Sequence, residues 1–100
     1  MEPDQTSIKY KRGQIMKALL EDIVHKLYKE DGIISVYLIE EFDVFKFTIQ
    51  YDVNVMSKRQ LQETVINYLY DDIDNSLVLK FVFDGSVGYV LIYDGKESYL

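Results

Sequence analysis

The hundred residues include no cysteine, a single histidine, a single proline and five glycines. Without thiols there is no disulfide framework, no thiolate nucleophile and no cysteine-ligated zinc, and the absence suits a reducing compartment. The longest apolar stretch, Ile33 to Ile39, is interrupted by Ser35. It falls far short of the roughly 20 residues a membrane helix needs. Met1 to Gln5 carries neither the basic nor the apolar region of a secretory signal. The expectation is a soluble, cytoplasmic protein.

The same scarcity limits chemistry. His25 is the only imidazole, and its helical neighbours Glu21, Asp22, Tyr28 and Lys29 form a polar side, which suits a surface histidine. A serine nucleophile needs a positioned base, and there is no Gly-x-Ser-x-Gly turn. No phosphate-cradling glycine loop, GxGxxG run or metal-ligand spacing is present. No catalytic residue, cofactor or metal is therefore expected, and the chain does not read as an enzyme.

What is present is aromatic and acidic. Nine of the aromatic residues are tyrosine, and the net charge is -6. Residues 1–32 carry six basic and six acidic groups, so the whole imbalance falls on residues 33–100. Such a field opposes nucleic acid and anionic membranes and confers solubility. Lys9, Lys11 and Arg12, with Lys17, make a small basic patch, too weak for a nucleic-acid arm on an acidic chain. Asp71, Asp72 and Asp74 form the densest acidic spot. Carboxylates are unfavourable at a helix C-terminus, so they invite a further role, either a solvated loop or a docking point for a basic partner. The glycine and closing glutamate of a Ca²⁺ loop are missing.

Periodicity sets the elements. Ile15, Met16, Leu19, Leu20, Ile23, Val24 and Leu27 recur at three and four, predicting a helix that starts regularly after Gly13 and ends at Asp31-Gly32. Ile33 to Ile39 and Val44 to Tyr51 predict a hairpin. Ser57 to Gln60 is a capping box flanked by Met56 and Leu61, and Leu61, Val65, Tyr68, Leu69 and Ile73 mark the buried stripe of a second helix. Leu77 to Phe83, a turn at Asp84-Gly85-Ser86, and Val87 to Tyr93 predict a second hairpin.

Residues 19–52 laid on 61–94 without a gap share seven identities, among them Leu27/Leu69, Tyr28/Tyr70 and Tyr51/Tyr93. The chain therefore reads as one domain of two αββ units, 8–52 and 56–94. The expected fold is α+β, a two-layer sandwich. It has a four-stranded, mostly antiparallel sheet with both helices on one face, ferredoxin-like by analogy only.

Two helices cover one face. With Phe45, Phe47, Ile49, Tyr51, Leu77, Leu79, Phe81, Val87, Tyr89, Leu91 and Tyr93 turned toward them, the other face shows Thr48, Val78, Lys80, Val82, Val90 and Ile92. A solvated antiparallel face should alternate polar-out, and this one does not. Those six residues are the candidate interface, centred on Val82, Val90 and Ile92, with the chain's own ends as another cover. The expected function is a small acidic protein-interaction module. It would associate with itself as a homodimer or bind another protein, as a regulator or inhibitor. The composition is of the kind phages and mobile elements encode. The alternative is a small-ligand module with a pocket between sheet and helices lined by Tyr37, Tyr51, Tyr68, Tyr89 and Tyr93.

Overall fold

The computed structural model describes residues 5–42, 44–73 and 76–93, with side chains from Gln14 onward. The elements run α1 (Gln5–Leu27), β1 (Ile33–Glu41), β2 (Val44–Tyr51), α2 (Lys58–Asp72), β3 (Val78–Asp84) and β4 (Val87–Tyr93). The strands form one sheet in the order β1-β2-β4-β3, antiparallel at every junction. The α+β class and the four-stranded antiparallel sheet thus match the sequence reading.

Each helix is built as its sequence dictates, with one difference in α1. That helix begins at Gln5, so Gly13 lies inside it rather than before it. Leu20, Ile23 and Leu27 are fully buried, whereas Ile15 and Leu19 are exposed. The reason lies in the neighbouring helix. Glu30 pairs with Tyr68 and Lys26 with Asp72, so the helices run antiparallel and α2 ends level with Lys26. Ile15 and Leu19 continue the Asp22–Lys26 stripe past that end, where α2 has nothing left to cover them. In α2 the capping box forms in full. Ser57 Oγ accepts from Gln60 N–H at 3.1 Å, and Gln60 Oε1 accepts from Ser57 N–H at 2.8 Å. Leu61, Val65 and Leu69 are buried as the stripe requires.

The buried residues form a single cluster of helix side chains against one face of the sheet. Strand pairing identifies that face: Val36 and Leu38 from β1, Phe45, Phe47 and Ile49 from β2, Val90 and Ile92 from β4, and Leu79, Phe81 and Phe83 from β3. Gly88 belongs to it too. A β-carbon there would lie 3.0 Å from Leu61 Cδ2 of α2, so the glycine lets helix and strand approach.

This corrects the expected facing of β4. Val90 and Ile92 are buried in the core, and Val87, Tyr89, Leu91 and Tyr93 point the other way. The cause is one residue of turn. Asp84 pairs with Val87, so the loop is the two residues Gly85-Ser86, with Gly85 at φ +59°. The sequence reading gave it three. A one-residue slip sends every side chain of a strand to the opposite face. The ungapped repeat is interrupted earlier, between α2 and β3: the two hairpins turn alike, at Glu41/Val44 and Asp84/Val87, 43 positions apart. Leu27 and Leu69 are both buried, 42 positions apart, but buried Phe47 has its counterpart in Val90 and not in Tyr89.

Candidate functional site

The face turned away from the helices is a grid whose rows follow directly from the pairing. Ser35, Gln50, Val87 and Asp84 form one row, and Tyr37, Thr48, Tyr89 and Val82 the next. Ile39, Lys46, Leu91 and Lys80 form the third. Glu41 beside Val44, and Tyr93 beside Val78, close the grid. No described helix lies over it.

Four of the six candidate interface residues stand on this face: Thr48, Val78, Lys80 and Val82. Val78 and Val82 are 52% and 44% exposed. Val90 and Ile92, at 0% and 1%, belong to the core and leave the candidate set. The slip missed Tyr89, Leu91 and Tyr93, which replace them. Tyr37 and Ile39 of the edge strand were missed as well. They are 63% and 41% exposed, and the two-residue turn after Glu41 would have placed them had its parity been carried through.

The rows mix two side-chain types for a physical reason. β-branched and aromatic residues support strand pairing whichever way they face. Lys46 and Lys80 interrupt the apolar positions, and the Lys46 ammonium lies 5.7 Å from the centre of the Tyr89 ring, within reach of a cation–π contact. Glu41 and Asp84 occupy diagonally opposite corners. The two lysines balance them, so the grid is neutral on a chain of net charge -6.

The acidic spot has a structural role in part. Asp72 accepts from Lys26 at 2.5 Å and joins the two helices. Asp71 is exposed, and Asp74 lies outside the described residues. The side chains of Lys9, Lys11 and Arg12 lie outside them too, and Lys17 and His25 are exposed.

The tyrosine pocket does not assemble. Tyr37, Tyr89 and Tyr93 face away from the helices, whereas Tyr51 is fully buried beneath them, so the sheet itself separates the five residues. Tyr68 lies on α2, where its hydroxyl donates to Glu30 Oε2 at 3.1 Å. Burial and the Glu30 carboxylate raise its pKa above the usual tyrosine value. An open groove of about 600 Å³ does lie near that bond, between the α1–β1 turn and α2. Its walls are Lys29, Glu30, Asp31, Met56, Gln60 and Glu63 among others, and none of the five tyrosines lines it.

Among the described residues no group of three or more His, Cys, Asp or Glu side chains is placed to hold a metal ion, and no helix is long and apolar enough to cross a membrane. No family model, curated protein or solved structure matches the chain.

Proposed function

We propose that this chain is a protein-interaction module whose working surface is the helix-free face of the sheet. One observation carries the reading. Nine of the sixteen grid positions, Tyr37, Tyr89, Leu91 and Val82 among them, are apolar or tyrosine, yet no described element covers the face. A patch of that kind on a soluble domain marks a contact surface more often than bare surface. The module acts by occupying a partner, as a regulator or inhibitor, rather than by chemistry. The charged groups that pair in the structure support this, because their bonds serve the fold: Lys26 with Asp72 and Glu30 with Tyr68 join elements, and Arg59 pairs with Glu63 along α2.

The strand order supports two further elements of the proposal. It is the order a ferredoxin-like plait takes when its first strand is moved to the end. Two equivalent αββ units also fit, provided one residue is inserted between α2 and β3. Tyr28, just after α1, donates to and accepts from the Val36 backbone, and Tyr70 of α2 donates to Leu77 C=O, just before β3, so in each unit a tyrosine at the helix end bonds the backbone that follows.

The test is a pair of substitutions on the grid, Tyr89→Lys and Leu91→Lys. Both side chains are only partly buried, so the fold is expected to survive by circular dichroism while association is lost. Unchanged association in both folded variants would overturn the proposal. Val90→Lys is not such a test, because it places a charge in the core and is expected to unfold the chain.

A further inference from the structure

We infer that the partner on the open face is a second copy of this chain, packed sheet to sheet about a two-fold axis parallel to the strands. The inference rests on the interaction reading above and adds the partner and its register.

Area comes first. Four strands spaced at about 4.8 Å, each with about seven residues rising 3.4 Å, outline roughly 19 by 24 Å. Side-chain relief raises the accessible area to something on the order of 700 Å² per copy, and roughly 1,400 Å² in total lies within the range of specific, stable interfaces.

Charge selects among occupants. Two copies of a chain carrying -6 repel each other over most of their surfaces. The grid is where they do not, because Lys46 and Lys80 balance Glu41 and Asp84 there. A nucleic acid would meet two lysines on a chain of opposing sign. A basic protein would be drawn to the acidic remainder and not to a neutral, apolar patch. A second copy is the occupant that a neutral face on an acidic chain fits.

Aligned packing is a common way for two sheets to stack. The axis keeps each row opposite itself and exchanges the columns, so β1 lies over the copy's β3 and β2 over its β4. Tyr37 then meets Val82 of the copy. Lys46 enters between the copy's Tyr89 and Tyr93 rings. Lys80 comes down beside the copy's Glu41, an ion pair that the symmetry makes twice.

The experiment is sedimentation equilibrium of the full chain over a wide concentration range, with Leu91→Lys, Lys80→Glu, Glu41→Lys and the charge-swapped double variant. The wild type is expected to form a dimer that dissociates on dilution. Leu91→Lys should weaken it by about 100-fold or more, and each single charge reversal by about 10-fold. The double variant should return to within a few-fold of wild type. Melting curves check that every variant folds, and the double variant tests the register even if Leu91→Lys does not fold. A dimer indifferent to all four changes, or a swap that restores nothing, overturns the inference. So does a monomer at every concentration. In that event, a host protein captured by wild type and lost with Leu91→Lys would leave the interaction reading standing. Nuclear Overhauser contacts from Leu91 to residues 94–100 would remove both.

Discussion

The Lys26 ammonium donates to Asp72 Oδ2 at 2.5 Å and ties the last turn of α1 to the last turn of α2. Its two ends are not equivalent. Asp72 sits where the helix dipole is negative, so Lys26 both pairs with it and relieves it. Losing Lys26 leaves Asp71 and Asp72 unrelieved, whereas losing Asp72 breaks the pair but removes an adverse charge. Lys26→Met is therefore expected to lower the thermal midpoint more than Asp72→Asn. Both effects should be small and shrink in salt, because the pair is well exposed. The hydrogen bond to Asp72 raises the Lys26 pKa, with desolvation opposing it. A raised lysine stabilises the fold fully below its ordinary value of about 10.4 and loses that contribution as pH climbs through the folded value. Melting series of the two variants from neutral to strongly alkaline pH, at low and high salt, check both points. Equal losses would contradict the dipole account.

Tyr68 gives a second alkaline signature. Burial is the main cause of its raised pKa, followed by the hydrogen bond to Glu30 and the Glu30 charge. Its phenol should therefore ionise above the ordinary value of about 10. The sign follows from linkage: the stability this group contributes is whole below that value and is lost as pH rises through the folded pKa. Glu30→Gln should bring the ionisation closer to normal without restoring it, because burial remains. Carbon-13 titration of the Tyr68 ring in both proteins tests this, and an unmoved midpoint in Glu30→Gln would contradict the assignment.

How much of this was legible in the sequence depended on how far each signal reached. The capping box at Ser57 and Gln60 and the stripe Leu61, Val65 and Leu69 were readable because their partners lie within a few residues. The strands were readable as strands for the same reason. The facing of β4 was not, since it hangs on whether Ser86 belongs to the turn or the pairing, and Asp84-Gly85-Ser86 permits both. That single residue moved Val90 and Ile92 into the core and put Tyr89 and Leu91 on the candidate site. The exposure of Ile15 and Leu19 was equally hidden, because it follows from where another helix stops. The role of Asp72 depends on a lysine 46 residues away, and no local pattern encodes such a pairing.

Tyr51 is fully buried, and its hydroxyl finds no hydrogen-bond partner among the described residues. The ring itself is well used, edge-on to Phe83 with centroids 6.3 Å apart. A buried hydroxyl left unpaired costs about 1–3 kcal/mol, and phenylalanine keeps the ring while removing that cost. Tyr51→Phe is expected to stabilise the protein by about 1 kcal/mol, after a small loss for any imperfect repacking. Urea unfolding should show a higher midpoint with an unchanged slope. Lower stability would mean that the hydroxyl is bonded in solution.

Phe42 opens the two-residue turn between Glu41 and Val44 with φ +51°, and it is 91% exposed. An L-residue in the left-handed region costs roughly 1–2 kcal/mol, and a bulky one has no local hydrogen bond to offset it. Exposure this high recovers little of that through burial. Asparagine tolerates the same backbone, so Phe42→Asn is expected to stabilise the fold by about 0.5–1 kcal/mol. Glycine also fits and removes the strain, but its extra freedom in the unfolded chain costs roughly 0.5–1 kcal/mol, so Phe42→Gly is expected to gain a similar net amount of about 0.5–1 kcal/mol. Chemical denaturation of the two variants at a concentration where the wild type is monomeric measures both gains. If both were destabilised, the ring would have to be packed against its own chain in solution. If both gains appear but association weakens in Phe42→Asn, the phenylalanine at the hairpin tip extends the contact surface beyond the grid, and the strain at its backbone is then the cost of presenting it.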